Sequence, residues 1–150
     1  MNYWLMKSEP SVFSIDDLKR AGTEPWDGVR NYQARNMLRD DMKKGDLAFF
    51  YHSSCAVPGI AGIMQIASAG YPDASAFDPD DPHFDPKCNP EQPRWYLVDV
   101  RFKRKLKHVI TLEQLRQQAP LAGMKLLQKG NRLSVMPVTR KEWETILGME

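Results

Sequence analysis

A chain of 150 residues favours one compact domain, large enough to bury a core without metal or disulfide help. Its 42% hydrophobic content and four Trp fit a globular protein, and no run of 18 apolar residues predicts a transmembrane helix. The net charge of +2 hides an uneven spread: residues 71–93 hold six acids and one Lys, whereas residues 97–141 hold eleven Lys or Arg against Asp99 and Glu113, a local excess of about +9 that suits a polyanion as well as an ordinary solvated face.

From the N-terminus, MNYWLMKSEP lacks the basic and apolar regions of a signal peptide. YWLM (3–6) reads as a first strand that Pro10 stops. SIDDLKRA (14–21) reads as a short helix with Ser14 as N-cap and Asp17 three residues on. NYQARNMLRDDM (31–42) reads as a second helix capped by Asn31, with Ala34, Met37, Leu38 and Met42 as its apolar stripe. KKGD (43–46) is a turn. LAFFYHS (47–53) and GIAGIMQIA (59–67) are apolar strands, the second with small residues Ala61, Gly62 and Ala67 that admit a neighbouring backbone. Six of the eleven prolines fall between 72 and 93, so residues 71–93 form a long surface excursion, read more readily as a passive insertion than as a binding element.

RWYLVDVRFKRKL (94–106) alternates, with Tyr96, Val98, Val100, Phe102 and Leu106 on one face and Asp99, Arg101, Lys103 and Lys105 on the other. TLEQLRQQA (111–119) is a helix opened by a Thr111/Gln114 capping box, and LSVMPV (133–138) is a strand. TRKEWETIL (139–147) is a last helix with a Thr139/Glu142 box and a Trp143, Ile146, Leu147 stripe. The order of elements predicts one α+β domain over 1–150, with mostly antiparallel strands in a small, partly closed barrel.

Several chemistries find little support. His52/Cys55 and His83/Cys88 offer four potential zinc donors, but neither pair forms a tight knuckle, and no metal is expected. The absence of CxxC leaves two free thiols, which fits a cytoplasmic protein. There is no GxSxG elbow, GxGxxG or GxxxxGK[ST], so neither a nucleophilic enzyme nor a nucleotide cofactor is indicated. RFKRKLKH (101–108) is different: five cations and an aromatic on a strand could line a phosphate backbone, or could equally solubilise an edge. Trp26, between Pro25 and Asp27-Gly28, is the best candidate for a pocket wall, although a loop Trp is more commonly a core lid.

YWLMKSEP, WDGVRNYQARN (26–36), LAFFYHSS, GIAGI and RLSVMPVT together resemble the EVE domain family, from residue 2 to about 148. The resemblance implies a PUA-like fold, related to YTH and ASCH domains: a small twisted β-barrel surrounded by short helices. It implies a non-enzymatic module that accepts a flipped modified base, methylated or hydroxymethylated cytosine in DNA, in a pocket at the barrel end. An RNA-binding module with the same pocket and a small enzyme on a nucleoside-like substrate are the alternatives. The family motifs place the base pocket on Lys7, Ser8, Glu9, Trp26, Gly28, Val29, Arg30, Asn31, Tyr51, His52, Ser53, Ser134 and Met136. Trp26 would cover the base, Asn31 would read its edge and Gly28 would keep the loop close. Arg35, Arg101, Lys103 and Lys105 are the expected phosphate contacts. Because the chain starts at the first strand, a stand-alone bacterial protein is expected.

Overall fold

The computed structural model describes residues 1–150. β1 (Tyr3–Ser8) is buried over Trp4, Leu5 and Met6, and its alternation sends Trp4 and Met6 to one face and Leu5 to the other. α1 (Ile15–Ala21) begins at a reciprocal capping box between Ser14 and Asp17, as its sequence predicts. The chain then reverses at Gly22 into β2 (Thr23–Pro25), a short strand that the sequence reading missed. α2 (Tyr32–Asn36) is capped by Asn31, but the expected single helix to Met42 widens into an underwound π turn over Met37–Asp41, where the Met42 N–H bonds the Met37 carbonyl. The extra residue in that turn still leaves Met37, Leu38 and Met42 buried.

β3 (Leu47–His52) and β4 (Gly59–Ile66) form the expected antiparallel pair. A Cβ on Gly62 would lie 2.4 Å from Ile15 Cδ1 and 2.9 Å from the Arg104 carbonyl oxygen, so this glycine lets α1 sit directly on the sheet. The excursion contributes β5 (Tyr71–Pro72), which pairs with β6 (Tyr96–Leu97) in a separate two-stranded sheet. The stretch read as one strand over 94–106 therefore changes partners at Val98. β7 (Asp99–Thr111) joins the main sheet and runs five residues further than expected, through irregularities in its register with β4. α3 (Leu112–Arg116), β8 (Val135–Val138) and α4 (Arg140–Leu147) complete the chain, and both helices carry their predicted capping boxes.

The main sheet has the order β2-β7-β4-β3-β1-β8, with β2 and β8 at its edges. Only β1 and β3 run parallel. The architecture is a mixed sheet curled into a half-barrel with short helices around it, the PUA-like α+β arrangement that the resemblance implies. Both faces are covered. On one, Trp26, Val29, Met37 and α1 pack over Phe50; on the other, Trp143 stacks on Phe49 at 3.9 Å and on Tyr3 at 4.7 Å. No helix is long and apolar enough to cross a membrane.

Candidate functional site

Where the end of β1 meets β2, a cavity of about 330 Å³ opens between Lys7, Ser8, Val12, Phe13, Glu24, Pro25, Trp26, Asp27 and His83. Its size is at the lower end of the range for small-ligand pockets. A larger open groove of about 860 Å³, bordered by Tyr3, Trp4, Asp40 and Pro137, contains none of the expected site residues. The smaller cavity is the candidate site, because it joins an aromatic wall to convergent polar groups.

Each wall has a local cause. β1 ends beside β3, and the Ser53 N–H donates to the Ser8 carbonyl at 3.0 Å. On the other side the Lys7 N–H donates to the Ser134 carbonyl at 2.8 Å. Trp26 follows β2; its N–H donates to the Val98 carbonyl at 2.9 Å, and its ring meets Phe50 edge-on at 5.4 Å. Only 7% of Trp26 is exposed, so it is both a cavity wall and a core residue. Gly28 adopts φ +82°, and a Cβ there would fall 2.5 Å from His83 Nε2. The glycine is needed for the turn and for the close seating of the histidine.

His83 comes from the excursion, whose attachment is specific. Asp73 is fully buried and accepts from the Gly28 N–H at 2.9 Å, from Arg30 Nη1 at 3.0 Å and from the Ser75 hydroxyl at 2.6 Å. Arg30 Nε and Nη2 donate to the His83 carbonyl at 3.1 and 2.7 Å. Tyr32 stacks on Trp95 at 4.9 Å, and Trp95 Nε1 donates to Asp85 at 2.7 Å. The segment read as a passive insertion is thus docked on WDGVR and supplies part of the cavity.

Burial shifts three groups of the cavity, Asp27, Glu24 and Lys7, in the direction of their neutral forms. Burial raises the pKa of Asp27, reinforced by the nearby Asp73 and Asp81 carboxylates. Burial, with Asp27 beside it, also raises Glu24, and burial lowers the Lys7 amine. The Asp27 and Asp81 carboxylates and the His83 imidazole bring ligand atoms within 4.8 Å of one another, donor types that a divalent cation takes. With carboxyl acceptors, an amine donor and aromatic walls, the cavity can hydrogen-bond the edge of a flat heterocycle and cover its faces.

Of the residues expected at the pocket, Lys7, Ser8 and Trp26 line it, and Gly28 and Arg30 shape it through His83. Glu9 belongs to the adjoining turn, where its carbonyl accepts from the Val12 and Phe13 N–H groups. Val29 is in the core. Asn31 does not line the cavity; its Oδ1 accepts from the Ala34 N–H at 2.9 Å as a helix cap. His52 Nε2 accepts from the Ile15 N–H at 3.1 Å, and burial lowers its pKa. Tyr51 and Met136 are buried in the core on the opposite face. Ser53 and Ser134 brace β1 through backbone bonds. Among the expected phosphate contacts, Arg35 instead donates to the Arg94 carbonyl at 2.7 Å and lies over the Tyr32 ring. Arg101, Lys103 and Lys105 are exposed on β7, with Lys105 2.9 Å from Asp16.

Sequence reasoning missed Val12, Phe13, Glu24, Pro25, Asp27 and His83 as lining residues. Asp27 and Pro25 flank Trp26, which was a usable signal. His83 had no such signal, because its approach depends on the Arg30–Asp73 pair across 43 residues of chain.

Comparison with known proteins agrees with this architecture. Mouse thymocyte nuclear protein 1 is 48% identical over 168 aligned residues, covering 99% of this chain and 74% of the mouse protein. A crystal structure of a Pseudomonas syringae protein superposes with a TM-score of 0.95 at 54% identity, covering 98% of each chain. The crystal structure of human THYN1 protein in complex with 5-methylcytosine containing DNA superposes with a TM-score of 0.93 at 46% identity, covering 99% of this chain and 97% of the human one. The model of the EVE domain matches residues 2–149, and this chain therefore belongs to the EVE domain family.

Proposed function

We propose that this chain is a non-enzymatic nucleic-acid-binding module that takes a flipped, modified base, methylated or hydroxymethylated cytosine in DNA, into the cavity beside Trp26. The observation that carries the reading is the cavity itself, whose aromatic and carboxyl-rich walls lie in a fold 46% identical to the human protein crystallised with 5-methylcytosine DNA. A base inside a duplex offers a small pocket no access, so it must swing out or come from a single strand. In the cavity, Glu24 or Asp27 would accept from the cytosine N4 amino group, and Lys7 would donate to its ring acceptors. Phe13, Pro25 and Trp26 offer apolar surface to a 5-methyl group, whose burial contributes on the order of 1 kcal/mol. Arg101, Lys103 and Lys105 lie on β7, the strand that pairs with β2, and would meet the phosphates. Two free thiols fit a reducing, cytoplasmic setting, and the 54% identity to a Pseudomonas protein fits a bacterial one.

The deciding experiment is a titration with labelled oligonucleotides carrying cytosine, 5-methylcytosine or 5-hydroxymethylcytosine, as duplex DNA, single-stranded DNA and RNA. The expected result is tighter binding of a modified DNA than of its unmodified counterpart. Equal affinity for every cytosine form would sink the reading, and preference for the RNA probes would move it to RNA.

A further inference from the structure

The turn that follows KSEP presents an apolar side chain to solvent at the cavity's rim. Val12 is 76% exposed and borders the same cavity as Trp26. The turn holding it is tied down on every side. The Glu9 carbonyl accepts from both the Val12 and Phe13 N–H groups at 2.9 Å. The Ser8 hydroxyl donates to the Phe13 carbonyl at 2.6 Å, and the Phe13 ring packs against Phe50 at 6.3 Å. Pro10 fixes one backbone angle within the turn. A β-branched side chain is also stiff about its first torsion. The result is a rigid apolar knob that adds nothing to the core.

Taking a base out of a duplex leaves a gap in the stack, and apolar side chains that enter such a gap recover part of the lost stacking. A knob that fills the gap has to stand next to the pocket that receives the base, and it costs least when already ordered. We infer that Val12 is the wedge that occupies the space a flipped base vacates, so that this turn distinguishes duplex from single-stranded substrate. The inference rests on the base-binding reading above, and it deepens that reading by assigning the duplex-opening step to a solvent-exposed residue at the cavity's rim.

The test compares wild type, Val12→Ala and Val12→Leu. The probes are one 5-methylcytosine oligonucleotide used as a duplex and the same strand alone, with anisotropy as the readout. Because Val12 is exposed, all three proteins should melt alike. Val12→Ala is expected to weaken duplex binding about fivefold or more while leaving the single strand within about twofold, and Val12→Leu to retain duplex binding. Equal weakening on both probes would make Val12 a wall of the base site, and unchanged binding on both would leave it a bystander; either overturns the wedge. Wild-type protein that binds neither methylated probe defeats the base-binding reading and the wedge with it, an outcome distinct from binding that ignores Val12.

Discussion

Trp26 concentrates the conflict between packing and recognition in one side chain. A ring with 7% of its surface exposed, edge-on to Phe50, is held as a core residue, yet the same ring borders the cavity. Truncation to Ala should therefore cost about 3 to 5 kcal/mol of stability. Replacement by Phe keeps most of the packing but shortens the wall. It should lower affinity for the modified base by more than it lowers the melting temperature. Paired melting and binding curves on Trp26→Phe check this, and a variant that melts early but binds normally would confine Trp26 to the core. Asn31 teaches the converse. Its family motif and polarity made it a natural base reader, but its carbonyl oxygen is engaged at the α2 cap.

Among the elements, the excursion shows how one buried ion pair can turn a Pro-rich surface segment into part of a site. Burial acts to raise the Asp73 carboxyl, but hydrogen bonds from Ser75, Gly28 and Arg30 outweigh it and hold the carboxyl below its ordinary 3.8. The sign of the linkage follows. A depressed native pKa stabilises the fold fully above the ordinary carboxylate value, and that contribution is lost as pH falls through the lower native value. Asp73→Asn leaves Arg30 without its counter-charge and should cost about 3 kcal/mol near neutral pH. The gap in melting temperature between variant and wild type should narrow as pH drops below the carboxylate range; a gap of constant size from pH 7 to pH 3 would assign the loss to shape rather than charge. Displacement of His83 in this variant should also reduce binding at the cavity, since Arg30 holds both Asp73 and the His83 carbonyl.

For the whole molecule, the uneven charge is the feature that would steer a polyanion. The acids cluster in the excursion, whereas Arg101, Lys103 and Lys105 are exposed on β7, so the phosphate backbone is expected along β7. Replacing Arg101, Lys103 and Lys105 together with Ala should reduce the slope of log affinity against log salt by up to about 3 units for duplex DNA. Preference for the modified base should persist, because phosphate contacts carry no base information. An unchanged slope would leave the stripe as a solvated face. What the sequence determined by itself was local: the three reciprocal capping boxes at Ser14, Thr111 and Thr139, the apolar alternation of the strands and the small Gly62 follow from spacing a few residues long. Family motifs added the fold and Trp26 at the cavity. The tertiary structure alone decided the parallel pairing of β1 with β3, the change of partners at Val98 and the delivery of His83 over Gly28. Those depend on contacts between residues tens of positions apart, where neither periodicity nor local propensity carries information and only the packing of the whole chain selects one arrangement.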